Sequence, residues 1–171
     1  MNKTALQIIR FLVLVLFQVL VINHIRLGGY VHPYIYLVFI MLLPFSTPKW
    51  QLLVLGFALG LTVDLFTGTP GLHAGATTLM AFSRPSIIKL VSGSQKFENI
   101  TEPNLGQLGG LWFFRYVLCM VFIHHFTLFF LESFSIRLIG QVLLRILLSV
   151  PVSIFLIMMI LYIFKSEKKR E

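Results

Sequence analysis

Gly56-Phe-Ala-Leu-Gly60-Leu-Thr-Val-Asp64-Leu-Phe-Thr-Gly68-Thr-Pro70-Gly71-Leu-His73 decides how this chain is read. Gly56, Gly60, Asp64 and Gly68 recur every fourth residue, which sets them along one stripe of a helix and its exit. Small residues at that spacing let a second backbone come close, the familiar route to tight helix contact in lipid. Gly68 suits the residue just past a helix C-terminus, Thr69 can cap the next helix, and Pro70 fits its first position. Gly71 and Gly75 give that next helix a small-residue stripe of its own. The stretch therefore predicts two helices joined by a tight elbow and packed inside a bundle.

The composition identifies the solvent around that bundle. Of 171 residues, 57% are hydrophobic and 12% charged, with a mean hydropathy of +0.90, whereas a soluble domain carries about 25% charged residues. Unpaired backbone amides are too costly in hydrocarbon for anything but helices or closed barrels, and the long apolar runs here lack barrel alternation. The expectation is an all-α membrane protein forming one transmembrane domain over residues 1–171. Six spans are predicted, at about 5–22, 34–45, 52–66, 71–91, 111–131 and 139–164. No small-x-small cleavage site follows the first run, which reads as an uncleaved span. Pro33, Pro44 and Pro48 bound the short second run, Arg84-Pro85 interrupts the fourth, and Pro151 predicts a kink in the sixth. The stretch from Ser92 to Gly110, with Gln95, Lys96, Glu98, Asn99, Glu102, Pro103 and Asn104, reads as a solvated linker.

The formal net charge is +8, and the charges sit at helix ends, which points to a membrane and not to nucleic acid. With the N-terminus inside, Lys3, Arg10, Lys49, Arg84, Lys89, Lys96, Arg115, Lys165, Lys168, Lys169 and Arg170 fall on the inner side, against Arg26, Arg137 and Arg145 outside. That division, eleven to three of the fourteen basic residues, predicts cytoplasmic N and C termini. Tyr30, Tyr34, Tyr36, Trp50, Trp112 and Tyr162 fall near predicted span boundaries, where interfacial aromatics belong. The Lys168-Lys169-Arg170 tail reads as a flank that can touch anionic lipid. A lone Cys119 excludes an intramolecular disulfide.

Asp64 lies in the last turn of its helix, where the dipole disfavours a negative charge by roughly 0.3 to 1 kcal/mol. A compensating cation is expected, with His73, Arg26, Arg137 or a group from another protein as candidates. An ionisable group within a membrane is read as an interaction site or as an internal pair that fixes the elbow. His124 and His125, with Glu132 two turns on, offer too few converging ligands on one helix for a metal, so they read as buried or interfacial histidines. Ser149 and Ser153 flank Pro151 and read as local repair of freed backbone hydrogen bonds. The sequence holds no phosphate loop, no paired zinc histidines and no nucleophile elbow, so no catalytic residue, metal or cofactor is expected.

The stretch from Gly56 to His73 resembles the central signature of the rod shape-determining protein family MreD, in which glycines, an aspartate and a Gly-rich turn join two membrane helices. Gln18-Val-Leu-Val-Ile-Asn-His24, Pro33-Tyr-Ile-Tyr36, Leu43-Pro44 and His124-His125 followed by Phe129-Phe130-Leu131-Glu132 are similar to members of the Bacteroides type. The resemblance covers nearly the whole chain. It implies a non-enzymatic subunit of the bacterial inner-membrane elongation machinery, working beside MreC, the MreB cytoskeleton and rod-complex peptidoglycan synthases. Gly56, Gly60 and Gly75 would receive the membrane helix of an MreC-like partner, with the elbow of Asp64, Gly68, Pro70, Gly71 and His73 supporting that partner's outer part. Oligomeric state, a homodimer included, is left open. The six-span plan also resembles the substrate-binding subunit of energy-coupling-factor vitamin transporters, but Phe11-Leu-Val-Leu-Val-Leu-Phe17 lacks that family's Ala-x-x-x-Ala pattern. A small multi-pass enzyme is the third reading, resting on Asp64, His73, His124 and Glu132 at one depth.

Overall fold

The computed structural model describes residues 3–25, 29–93, 100–133 and 138–163. Arg26, Arg137, Gln95, Lys96, Glu98, Asn99, Lys165 and the Lys168-Lys169-Arg170 tail lie outside them. Five long helices carry the architecture: α1 Lys3–Leu20, α3 Lys49–Thr67, α4 Leu72–Ser92, α6 Gly110–Ser133 and α7 Ile139–Ile163. Two short ones, α2 Val38–Met41 and α5 Leu105–Leu108, lie between them, and no strand forms among the described residues. Helices α3, α4, α6 and α7 pack in sequence order, and α1 leans on α3.

Residues Thr4–His24 and helices α3, α6 and α7 are each long and apolar enough to cross a membrane. They also leave large apolar side chains outside, such as Leu12, Leu16, Phe57, Phe122, Phe126 and Phe155, which suits a lipid-facing surface. Helix α4 has the length without the apolarity, because it carries His73, Thr77, Arg84 and Ser92. All four are buried. Arg84-Pro85 does not interrupt this helix, contrary to the expectation: Pro85 sits inside a continuous α4.

The largest departure from expectation is the second span. Residues 34–45 do not form a spanning helix; only Val38–Met41 are α-helical. Instead the chain returns along the bundle axis as an irregular pass. Its start lies beside α7, where Ser149 Oγ donates to the Tyr30 carbonyl and accepts from His32 N–H. Its finish lies at the opposite end, where Phe45 N–H donates to the Thr101 carbonyl. Ile35, Tyr36, Leu37 and Ile40 have no exposed surface. Non-helical backbone at membrane depth is tolerable only when protein surrounds it and meets its polar groups. Here side chains do so from four helices. Gln18 of α1 donates to the Pro33 carbonyl at 3.1 Å and accepts from Ile35 N–H at 2.8 Å. Ser153 of α7 accepts from Tyr34 N–H at 3.1 Å. Arg84 of α4 donates to the Leu43 carbonyl, and Tyr116 of α6 donates to that of Met41.

These contacts correct three sequence readings. Ser149 and Ser153 do not turn to the backbone around Pro151, which sits inside a continuous α7; they clamp the irregular pass. Arg84 is not a basic flank at a membrane boundary but a buried guanidinium, 2% exposed, turned onto the carbonyls that end α2. Tyr34, Tyr36 and Trp112 are core residues, not interfacial ones. Part of the expected linker is also ordered against the bundle: Asn104 caps α5 by accepting from Gly106 N–H, Leu105 is buried, and Trp112 Nε1 donates to Ser92 Oγ across the base of the loop.

Candidate functional site

Helices α3 and α4 meet as the glycine stripe predicts, and the distances show why glycine is needed. A Cβ on Gly60 would stand 2.4 Å from the His73 carbonyl oxygen and 2.5 Å from Ala74 Cα. One on Gly56 would meet Ala81 Cβ at 2.8 Å and the Thr77 carbonyl at 3.1 Å. Gly75 faces α6, where a Cβ would touch Leu131 Cδ1 at 3.4 Å. Gly56 and Gly60 are therefore occupied within the molecule and present no open surface to a partner helix, whereas Gly75 stays exposed.

The elbow is built on Asp64. Gly68 ends α3 in the left-handed conformation at φ 68°, with its N–H on the Asp64 carbonyl. Gly71, at φ 86°, is the residue that caps α4, so Thr69 and Pro70 lie in the turn ahead of the position expected for them. The Asp64 carboxylate, 3% exposed, accepts from Thr69 Oγ1 at 2.9 Å, Gly71 N–H at 3.1 Å, His73 N–H at 3.0 Å and Ala74 N–H at 2.9 Å. Among the described residues the carboxylate is met by the turn and the N-terminus of α4 and by no basic side chain; Arg26 and Arg137 lie outside them. The free N–H groups and positive dipole end of α4 compensate the charge. His73 contributes its backbone, while its ring turns the other way.

That ring enters a buried polar cluster. Tyr36 Oη lies 3.0 Å from His73 Nδ1, 2.8 Å from His124 Nε2 and 3.3 Å from Thr77 Oγ1. His124 Nδ1 has no hydrogen-bond partner among the described residues. An unmet acceptor costs less than an unmet donor, which favours the tautomer with the proton on Nε2. His124 Nε2–H then donates to Tyr36, and Tyr36 donates to His73 Nδ1. His125 Nδ1 donates to its own helix at the Val121 carbonyl, leaving Nε2 to accept from Ser153 Oγ at 3.0 Å. Tyr34 packs edge-on to His73 and His124 with ring centres 5.1 and 5.5 Å apart. No group of three metal-ligating side chains gathers among the described residues.

Between this cluster and the elbow end lies a cavity of about 390 Å³, bordered by His24, His32, Tyr34, Phe66, His73 and Glu132. Arg145 closes one side, bonded to Glu132 at 2.9 Å and lying 4.3 Å over the Phe129 ring. Of the four residues that the enzyme reading groups together, His73 and His124 do converge on Tyr36. Asp64 is engaged by the turn and Glu132 by Arg145.

Sequence reasoning missed Gln18, Tyr34, Tyr36 and Thr77 as site residues. Gln18 carried a usable signal, since an amide within an apolar span demands a partner. Fold and site together define an all-helical membrane protein with a buried tyrosine and histidine cluster behind an aspartate-fixed elbow. Beyond that class, no protein-family model, no curated protein and no solved structure matches the chain.

Proposed function

We propose that this chain is a non-enzymatic scaffold subunit of the bacterial cell-elongation complex in the inner membrane, with cytoplasmic termini, working as MreD proteins do. It binds an MreC-like single-span partner, and through it meets MreB and the rod-complex peptidoglycan synthases. The reading rests on the resemblance of residues 56–73, and one observation supports it best: those residues make a rigid elbow whose tip is apolar and unprotected. Leu65 and Phe66 are 77% and 60% exposed, and Pro70 is exposed beside them. A fixed apolar projection is suited to docking. Because Gly56 and Gly60 are engaged internally, the partner meets the tip and not that part of the glycine stripe.

Affinity isolation of the tagged full chain from its native membrane tests this. A single-span protein with an extracytoplasmic part co-isolates, and Phe66→Asp reduces its recovery about tenfold at an unchanged level of the chain itself. Recovery unaffected by Phe66→Asp contradicts docking at the tip, and the absence of any such protein contradicts the scaffold reading.

The cavity behind the elbow favours a second reading, the substrate-binding subunit of a vitamin-type transporter. Its volume falls within the range of about 300–1,000 Å³ typical of small-ligand sites, and Arg145, Glu132 and three histidines supply polar contacts. A small molecule retained through gentle purification, with no protein partner, decides for it.

A further inference from the structure

At the end of the bundle opposite the elbow, α1 and α7 stand apart. A cleft of about 640 Å³ opens between Val13 and Leu14 on one side and Ile160 and Leu161 on the other, over a floor of Phe39 and Leu42. Its polar end carries Arg10 and Glu102, and there the charges do not close on each other. Arg10 Nη1 stands 3.8 Å from Glu102 Oε2, beyond hydrogen-bond reach, and both side chains keep about a third of their surface, 34% and 36%. That Nη1 atom is itself shut off from solvent without a hydrogen-bond partner among the described residues, and so is Gln7 Oε1, one turn earlier on α1.

A guanidinium with one unmet donor beside a partly exposed carboxylate, at the rim of an apolar cleft, is complementary to a zwitterionic amphiphile. We propose that this cleft binds one molecule of phosphatidylethanolamine, with an acyl chain between α1 and α7, its phosphate on Arg10 and its ammonium on Glu102. Charge decides among lipids. A purely anionic headgroup satisfies Arg10 but brings its phosphate against Glu102, and a choline headgroup has no N–H to give that carboxylate. The site shares no residue with the elbow and does not depend on the function proposed above.

Native mass spectrometry of the purified full chain, titrated with dioleoyl phosphatidylethanolamine, phosphatidylglycerol or phosphatidylcholine, tests the assignment. One phosphatidylethanolamine per chain is expected at about tenfold lower concentration than either other lipid. Arg10→Gln and Glu102→Gln each abolish that preference. Val13→Trp fills the cleft without touching the charges and abolishes retention; circular dichroism confirms that each variant is folded. Should Arg10→Gln fail to fold, Glu102→Gln, at the surface, carries the headgroup test alone. Equal retention of the three lipids, a preference unchanged in Glu102→Gln, tighter binding of phosphatidylglycerol, or a protein cross-linked at Val13 each overturns the proposal.

Discussion

A carboxylate taken out of water must be met by donors, and Asp64 meets four of them within the turn that follows it. Asp64→Ala strands the buried N–H groups of His73 and Ala74, while Gly71 N–H and the Thr69 hydroxyl lie in a partly exposed turn, and each stranded buried donor costs about 1–3 kcal/mol. The variant is expected to lose at least about 2 kcal/mol, read from denaturant unfolding in detergent; a loss within error would show that the carboxylate does not hold the elbow. Tyr36→Phe removes the hydroxyl on which His73, His124 and Thr77 converge. It should keep the fold and cost about 1–3 kcal/mol for the polar atoms left unpaired, checked by the same unfolding measurement, with an unchanged midpoint as the contrary result. The role of Asp64 was half legible in the sequence. Its position and its need for compensation could be read, but a basic partner was expected, because the pattern of side chains does not display the backbone N–H groups of a helix that starts after it.

At the scale of elements, the α3–α4 pair is the part the sequence predicts best, because glycine spacing is a local signal. The contacts rank the glycines. Gly60→Ala drives a methyl into backbone atoms that cannot move aside, Gly56→Ala presses on Ala81 and the Thr77 carbonyl, and Gly75→Ala only meets the flexible tip of Leu131. Overpacking of this kind costs about 1–3 kcal/mol. Thermal unfolding should therefore show losses in the order Gly60→Ala, Gly56→Ala, Gly75→Ala, the last near zero. A loss in Gly75→Ala equal to that in Gly60→Ala would contradict the packing described. The irregular pass was not legible, for a physical reason: residues 34–45 are apolar on every side because protein surrounds them, and a fully buried run looks like a span. Its supports are far away in sequence, Ser149 lying 117 residues from His32 and Arg84 lying 41 from Leu43. Ser153→Ala leaves Tyr34 N–H without an acceptor and His125 Nε2 without a donor. It is expected to cost about 1–3 kcal/mol, whereas a serine that merely repaired the Pro151 kink would cost little.

Over the whole molecule, five long helices and one irregular segment run along the bundle, α3, α6, α7 and residues Thr4–His24 being long and apolar enough to cross a membrane. The ends of the described chain at Lys3 and Ile163 come to the same side, since Leu6 and Arg10 share the lower cleft with Ile160 and Leu161. The long apolar helices were readable from hydropathy; that residues 34–45 form a clamped, mostly non-helical segment was not. This segment links both halves of the molecule. Its first half carries Tyr34 and Tyr36 into the histidine cluster behind the elbow, and its second half is held by Arg84 and Tyr116 near the lower cleft. Cysteine accessibility in intact membranes tests this plan most directly, with Cys119 replaced by serine and single cysteines at the exposed positions Tyr30, Ser46 and Gly68. A membrane-impermeant thiol reagent applied from one side should modify the residues at 30 and 68 together, and from the other side the residue at 46 alone. Modification of positions 30 and 46 from the same side would mean that the segment between them does not cross, and the account of the buried pass would fall.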